Sequence, residues 1–348
     1  MFSDASGVSI DFGELDICSF RCFSRPYQLR HHEPVVCHQR LGVPDLCRGL
    51  PDRLGLHSET DLSCLEEEPD FLASYRIIVM EQLPVIAAVP NYNMGNHLLT
   101  LLPALLRHRY EAVCVLDDAS TDGSVDIVRS FGPDVVLVCG SENMGAAANR
   151  NRILDYLTKP AIIHFVDADM EITTQDAPAV AQELMARYAG QQVGAVGGLV
   201  CRPGGGQDPF NYGPAVCLRS QLEYAAPILV DRAQSIPGAA RIVQAIGLVA
   251  RRGWPDILSP PRPRSTFWLH EGNMLIYSSV FRRIGGYDPA MRHHEALALA
   301  VKLSKANVKR QFDPAIAAIH YGTDVRGRAR GSEKRDARRY LNQSYSLR

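Results

Sequence analysis

No run of about 18 uninterrupted apolar residues occurs anywhere in the chain, so no helix capable of crossing a bilayer is expected. Net charge is almost absent as well. A formal value of −1 removes any global electrostatic reason to expect nucleic acid as a partner, although local basic clusters still count. The first thirty residues lack the basic-then-apolar order of a secretory signal, which argues against secretion and makes a cytoplasmic enzyme the default expectation. Paired cysteines are lacking too. The nine cysteines form an odd set, and Cys114, Cys139, Cys201 and Cys217 stand singly, as small buried hydrophobes with reduced thiols do. Cys18, Cys22, Cys37, Cys47 and Cys64 lie near His31, His32 and His38, but their spacings match no Cys-x-x-Cys ligand pair, which disfavours a structural zinc.

Several marked α/β motifs are missing. No Gly-x-Gly-x-x-Gly follows the first strand-like run, so the dinucleotide-binding form of the doubly wound fold is not expected. A phosphate-binding Gly-x-x-x-x-Gly-Lys-Ser/Thr loop, a Gly-x-Ser-x-Gly nucleophile turn and a His-Glu-x-x-His helix are also absent.

What is present is length enough for a substantial core, 348 residues at 46% hydrophobic content, and a regular alternation of strand and helix patterns. Residues 1–79 carry no sustained periodicity and end in an acidic stretch from Glu59 to Asp70. They read as an irregular appendage, and Met80 offers an alternative start directly before the first strand, Pro84–Val89. The pattern then runs through a helix with Leu98, Leu99, Leu102, Leu105 and Leu106 on one face, in which Pro103 marks a kink or a late first turn. Strands at Ala112–Leu116 and Val135–Val138 follow, and the loop between them offers Ser120 or Thr121 as a helix cap. The fourth strand, Ile162–Val166, ends in Asp167-Ala168-Asp169. Continuous apolar runs of this kind suit strands buried on both faces, and open α/β sheets do their chemistry at the carboxyl ends of such strands.

Two carboxylates one residue apart at such a strand end suit Mg²⁺ or Mn²⁺ holding a diphosphate, because these hard ions keep few protein ligands and fill the rest with phosphate and water. Each loop also has a plainer reading. Asp-Asp-Ala-Ser-Thr-Asp is good turn chemistry, Asn-Met-Gly is an ordinary turn, and Arg150 reads equally as a solvated helix residue. Taken together, however, four successive strands each end in a polar loop facing one crevice.

The ordered set resembles a family 2 glycosyltransferase with the GT-A fold. It comprises Val-Pro-Asn-Tyr-Asn after the first strand, Leu-Asp-Asp-Ala-Ser-Thr-Asp-Gly-Ser after the second, Asn-Met-Gly with Arg150-Asn151, and Val-Asp-Ala-Asp. Farther on come Gly272-Asn273-Met274-Leu275-Ile276 and Val280-Phe281-Arg282-Arg283-Ile284-Gly285-Gly286-Tyr287-Asp288. The resemblance implies an α/β, Rossmann-like, mostly parallel sheet flanked by helices over residues 80–322, with a nucleotide half at 84–170, an acceptor half at 171–322 and a basic tail at 323–348. It implies that Asn91, Tyr92, Asp117 and Asp118 hold the nucleotide, that Asn143 and Arg150 lie near the base or diphosphate, and that Asp169 with Asp167 binds the Mg²⁺ or Mn²⁺ ion. His320 matches a late histidine that completes the metal or phosphate site, and reads equally as a capped strand-end histidine.

Such a reaction builds positive charge on the sugar and negative charge on the leaving diphosphate, and needs a base for the acceptor hydroxyl. In inverting relatives that base is commonly the Asp of a Glu-Asp pair. Here Glu295 aligns with the Glu and Ala296 with the Asp, so Glu295 is the first choice and His294 the second; a third reading is that this base is missing and another acid, such as Glu271 beside His270, serves instead. The implied function is metal-dependent, inverting transfer from a nucleoside-diphosphate sugar, a UDP-sugar being favoured, to a glycan or lipid-linked acceptor in glycan or cell-surface polysaccharide synthesis. Two other readings stay open. A nucleotide-sugar-binding protein without a base is motivated by Ala296, and a sugar-phosphate nucleotidyltransferase is disfavoured by the missing Gly-rich, lysine-bearing loop. Arg241–Arg252 is a basic amphipathic stretch that packs on the domain or touches the inner membrane face peripherally. The tail from Arg326 reads as a solvated helix or tail, with anionic lipid or polymer binding as the lesser reading. Oligomeric state is not legible.

Overall fold

The computed structural model describes residues 82–215, 253–322 and 330–345, with single positions between 231 and 242. The extension at 1–79, its cysteines and most of the Arg241–Arg252 stretch lie outside the described residues.

The first half follows the expected alternation. It consists of β1 (Val85–Asn91), α1 (Gly95–Leu106), β2 (Ala112–Asp117), α2 (Ser124–Ser130), β3 (Val135–Cys139), α3 (Ala146–Asn151), α4 (Ile153–Tyr156) and β4 (Ile162–Val166). Strands β3, β2, β1 and β4 lie side by side and all parallel. Val85 to Val89 are each 5% exposed or less, which is why β1 reads as an unbroken apolar run: helices cover both of its faces. On α1 the buried set is Leu98, Leu101, Leu102 and Leu105, whereas Leu99 is 53% exposed, so the apolar stripe is narrower than the leucine count suggests. Pro103 stays inside the helix, one turn before its end.

The second half is mixed. After β5 (Met170–Ile172) and α5 (Ala177–Ala189) come β6 (Val193–Cys201), β7 (Tyr212–Gly213), β8 (Arg264–Ser265), β9 (Trp268–Leu269), β10 (Asn273–Tyr277), α6 (Ser278–Arg283), α7 (Glu295–Lys305), β11 (Lys309–His320) and α8 (Arg330–Tyr345). Strand β10 inserts antiparallel between β4 and β6, and β11 runs parallel to β6 but antiparallel to β5. The sheet order β3-β2-β1-β4-β10-β6-β11-β5 therefore carries the chain across β4, and the carboxyl ends of β1, β2 and β4 open on one side.

Beneath that edge Phe165, Phe281 and Tyr287 meet edge to face, with centroids 5.5–5.9 Å apart. Instead of remaining a solvated helix or tail, α8 buries Ala337 and Leu341, and its Tyr345 hydroxyl donates to Asp288 Oδ2 at 2.6 Å. Two apolar residues one turn apart anchor a helix that is otherwise strongly charged.

Candidate active site

The loops after β1 and β2 are bonded to each other. Asn91 Nδ2 donates to Asp117 Oδ2 at 2.7 Å and to Ser120 Oγ at 3.1 Å, while Ser120 N–H donates to Asp117 Oδ1. Asp117, 1% exposed, thus braces the two loops and does not line the cavity. Ser120 is likewise no cap for α2. Its hydroxyl accepts from Asn93 N–H, and Gly123, at φ +86°, precedes that helix. Asp122 instead caps across the gap, accepting the Gly95 N–H at the start of α1 at 2.9 Å.

Asp118 is 2% exposed, and its two oxygens accept from Met144 N–H at 3.0 Å and Gly145 N–H at 2.7 Å. It holds the Asn-Met-Gly turn against the cavity. Asn149 Nδ2 donates to Leu116 O at 2.6 Å, tying α3 to the end of β2. Asn143, exposed on that turn, accepts through Oδ1 from Arg292 Nη1 at 3.1 Å, so a residue of the later half reaches across to the donor-side loop.

Arg150 is 4% exposed and organises the centre. Its Nη2 donates to Asp167 Oδ1 at 2.6 Å, its Nη1 stands 3.6 Å from Glu271 Oε1, and its guanidinium lies 5.6 Å from the Tyr287 ring centroid. Burial opposes ionisation of Asp167, but the Arg150 guanidinium, with His270 and His320, outweighs it and lowers the carboxyl's pKa. For Arg150 the surrounding acids likewise overcome burial and raise its pKa. The solvated-residue reading of Arg150 is therefore wrong for this side chain, although the sequence pattern around it is the same.

Asp169 reaches the opposite wall through strand pairing. Strand β5 starts at Met170, which registers with His320 at the end of β11, and this brings His320 Nε2 to 3.4 Å from Asp169 Oδ2. Burial lowers the pKa of His320, but the hydrogen bond and charge of Asp169 raise it more, and the net shift is upward. His270, whose ring centroid is 5.4 Å from that of His320, is shifted down by burial and by its neighbour.

These residues line a cavity of about 640 Å³, a volume in the range of small-molecule sites. Asn91, Tyr92, Asp118, Asn143, Arg150, Asp167, Asp169, Glu295 and His320 all border it. His294 does not. It precedes α7 at φ +62°, and that turn gives His293 to the cavity wall in its place. Phe210, Trp268 and Arg292 complete the wall without any periodic or motif signal that would have singled them out. Among the described residues no group of three or more His, Cys, Asp or Glu forms a preassembled metal site. The pair Asp169 and His320 nevertheless fits a divalent ion that takes its remaining ligands from phosphate and water.

Residues 87–202 match the family described as glycosyl transferase family 2. No curated protein matches the chain. Among solved structures it is similar to the mannosyltransferase PcManGT from Pyrobaculum calidifontis in complex with GDP-Man and Mn²⁺, at 19% identity over 77% of this chain and 64% of that one, TM-score 0.45. It is similar to GalNAc-T7 with UDP, GalNAc and Mn²⁺ at 14% identity, covering 69% and 44%, TM-score 0.48. It is also similar to S. aureus TarS 1-349 at 15% identity, covering 76% and 72%, TM-score 0.43. The chain spans less than two thirds of the length of the first two. The glycosyl transferase family 2 match covers about a third of the chain, from within β1 to the end of β6, the stretch that carries the Asp167-Ala168-Asp169 strand end.

Proposed function

We propose that this chain moves a sugar from a nucleoside diphosphate, in the first instance a UDP-sugar, to an acceptor hydroxyl with inversion, in glycan or cell-surface polysaccharide synthesis. One observation carries the reading: a single cavity has Asp169 and His320 3.4 Å apart on one wall, buried Arg150 at its centre, and Glu271 and Glu295 on the remaining wall.

Asn91, Tyr92 and Asp118 border the part of the cavity nearest β1 and β2, which suits the nucleotide. Arg150 Nε and Nη1 are buried without a hydrogen-bond acceptor among the described residues, and would donate to the diphosphate. Asp169 and His320 would hold Mg²⁺ or Mn²⁺, which when bound neutralises charge developing on the leaving diphosphate. The flat faces of Phe210 and Trp268 suit a sugar ring, and a carboxylate on the acceptor wall would remove the hydroxyl proton.

Asp169→Asn tests the donor side. The variant keeps the side-chain volume and loses the charge, so Mn²⁺-dependent release of nucleoside diphosphate should fall about 100-fold or more with the circular dichroism spectrum unchanged. Retained turnover in a folded variant would remove Asp169 from the assigned role.

A further inference from the structure

We propose that His270 is a catalytic residue of the donor side, a neutral imidazole whose Nε2–H donates to the diphosphate oxygen that leaves the sugar; this rests on the transfer reading above and adds one side chain to it. The ring borders the same cavity as Arg150, Asp167, Asp169 and His320. One hydrogen bond defines its tautomer. Gly272 N–H donates to His270 Nδ1 at 3.1 Å, so Nδ1 is the accepting nitrogen and the proton of the neutral ring sits on Nε2. Among the described residues nothing accepts from that Nε2–H, and the atom is not sealed in the interior as Nε2 of His293 and of His294 are. The wall therefore presents a donor to whatever fills the cavity.

The backbone around the ring is firmly held. His270 N–H donates to Asn211 O at 2.9 Å, and fully buried Asn211 is itself clamped to β6, accepting Val200 N–H on Oδ1 at 2.6 Å and donating from Nδ2 to Val200 O at 3.0 Å. On the other side, Asp167 N–H donates to Gly272 O at 3.2 Å. A Cβ at position 272 would strike the Asp167 carboxylate, so glycine lets this turn lie against the end of β4. The rings of His270 and His320 meet edge to face with centroids 5.4 Å apart, and His320 Nε2 is 3.4 Å from Asp169 Oδ2. His270 thus stands one ring away from the pair assigned to the ion, which suits the phosphate next to the sugar.

A donor locked in the neutral tautomer brings no net charge of its own, and its N–H gains most as negative charge gathers on the leaving oxygen. Its effect falls on the transition state more than on donor binding. In the step, the bond from the anomeric carbon to the diphosphate oxygen breaks and leaves its electron pair on that oxygen. The acceptor oxygen bonds the carbon as its proton passes to a carboxylate of the acceptor wall. His270 keeps its own proton throughout.

Two amide substitutions separate the two nitrogens. Asparagine sets an oxygen near the place of Nδ1, where it can still accept Gly272 N–H, and leaves nothing at Nε2; glutamine carries a donor out to Nε2 and gives up the turn bond. The test uses the full chain with Mn²⁺ and UDP-N-acetylglucosamine, UDP-galactose or GDP-mannose, with water as acceptor, and reads nucleoside diphosphate release and the thermal shift caused by each donor. His270→Asn should lower kcat by about 100-fold while KM stays within about three-fold, and His270→Gln should stay within about ten-fold of wild-type kcat. A residue that merely held the turn would give the opposite order. The assignment is overturned if His270→Asn turns over as fast as His270→Gln or faster, or if its loss lies in KM with kcat unchanged. Failure of the transfer reading looks different: the wild-type chain then releases no nucleoside diphosphate from any of the three donors, and the role of His270 falls with it.

Discussion

His164 stands at the middle of β4 with its ring fully buried, and its hydrogen bonds define its tautomer. Asn273 uses Nδ2 on Leu199 O, so its Oδ1 faces His164 Nε2 at 2.9 Å as an acceptor, and the imidazole proton sits on Nε2. Tyr110 then donates its hydroxyl to Nδ1 at 2.7 Å. Burial lowers the pKa of His164 to about 4 from 6.5. The sign of the linkage follows: between those values the unfolded chain binds a proton that the folded chain refuses, so stability present above pH 6.5 is lost as pH falls toward 4. Between pH 7 and 5 the loss from this one ring is about 2 kcal/mol. His164→Asn should be less stable at every pH, because it breaks the Tyr110 and Asn273 contacts, but its urea-unfolding free energy should fall less steeply over that interval. An unchanged slope would mean that His164 is not the group refusing the proton.

At the scale of elements, the turn after α6 joins the two halves of the sheet beneath the cavity. Asn151, at the end of α3, donates from Nδ2 to Tyr287 O at 2.9 Å and accepts Tyr287 N–H on Oδ1 at 2.7 Å, a side chain pairing as a strand would. The two glycines before Tyr287 are both in the left-handed region, at φ +68° and +60°. They are not equivalent. A Cβ at 285 meets only Lys302 Nζ at 3.8 Å, whereas one at 286 collides with Asn151 Oδ1. Gly285→Ala should therefore cost about 1 kcal/mol from backbone strain alone. Gly286→Ala should cost roughly 3 kcal/mol, because it also displaces the paired amide, and should weaken donor binding by shifting the ring under Arg150. Equal midpoints for the two variants in denaturant would refute the distinction. The same comparison shows what could be read beforehand. Strands β1 to β4 and their polar ends were legible, since burial on both faces produces continuous apolar runs. The roles of Asp117, Ser120 and His294 were not, because each depends on a loop partner or a left-handed turn that residue type alone does not reveal. Arg150 could be read as a solvated helix residue as well as a diphosphate-side group for the same reason, since its two acids are 17 and 121 positions away.

At the scale of the whole molecule, the cavity is closed by contacts that join distant stretches of chain: Arg292 on Asn143, Glu271 on Arg150, and His320 on Asp169. A ligand that engages these walls binds only the folded state and must raise its stability by mass action. At a concentration about 100 times Kd the gain is about 2.7 kcal/mol, and for a chain of this size it should raise Tm by several degrees. The measurement is the melting temperature with UDP, GDP, dTDP and ADP, each with Mn²⁺ and again with a chelator. One nucleotide should stand out with Mn²⁺, and chelation should remove most of its shift, since cavity acids left facing a diphosphate without the ion repel it. Asp169→Asn should show the chelated result even in the presence of Mn²⁺. A shift indifferent to the chelator would remove the ion from the donor site and leave Arg150 as its main cationic anchor. No shift with any of the four in a folded sample would count against nucleotide recognition by these walls.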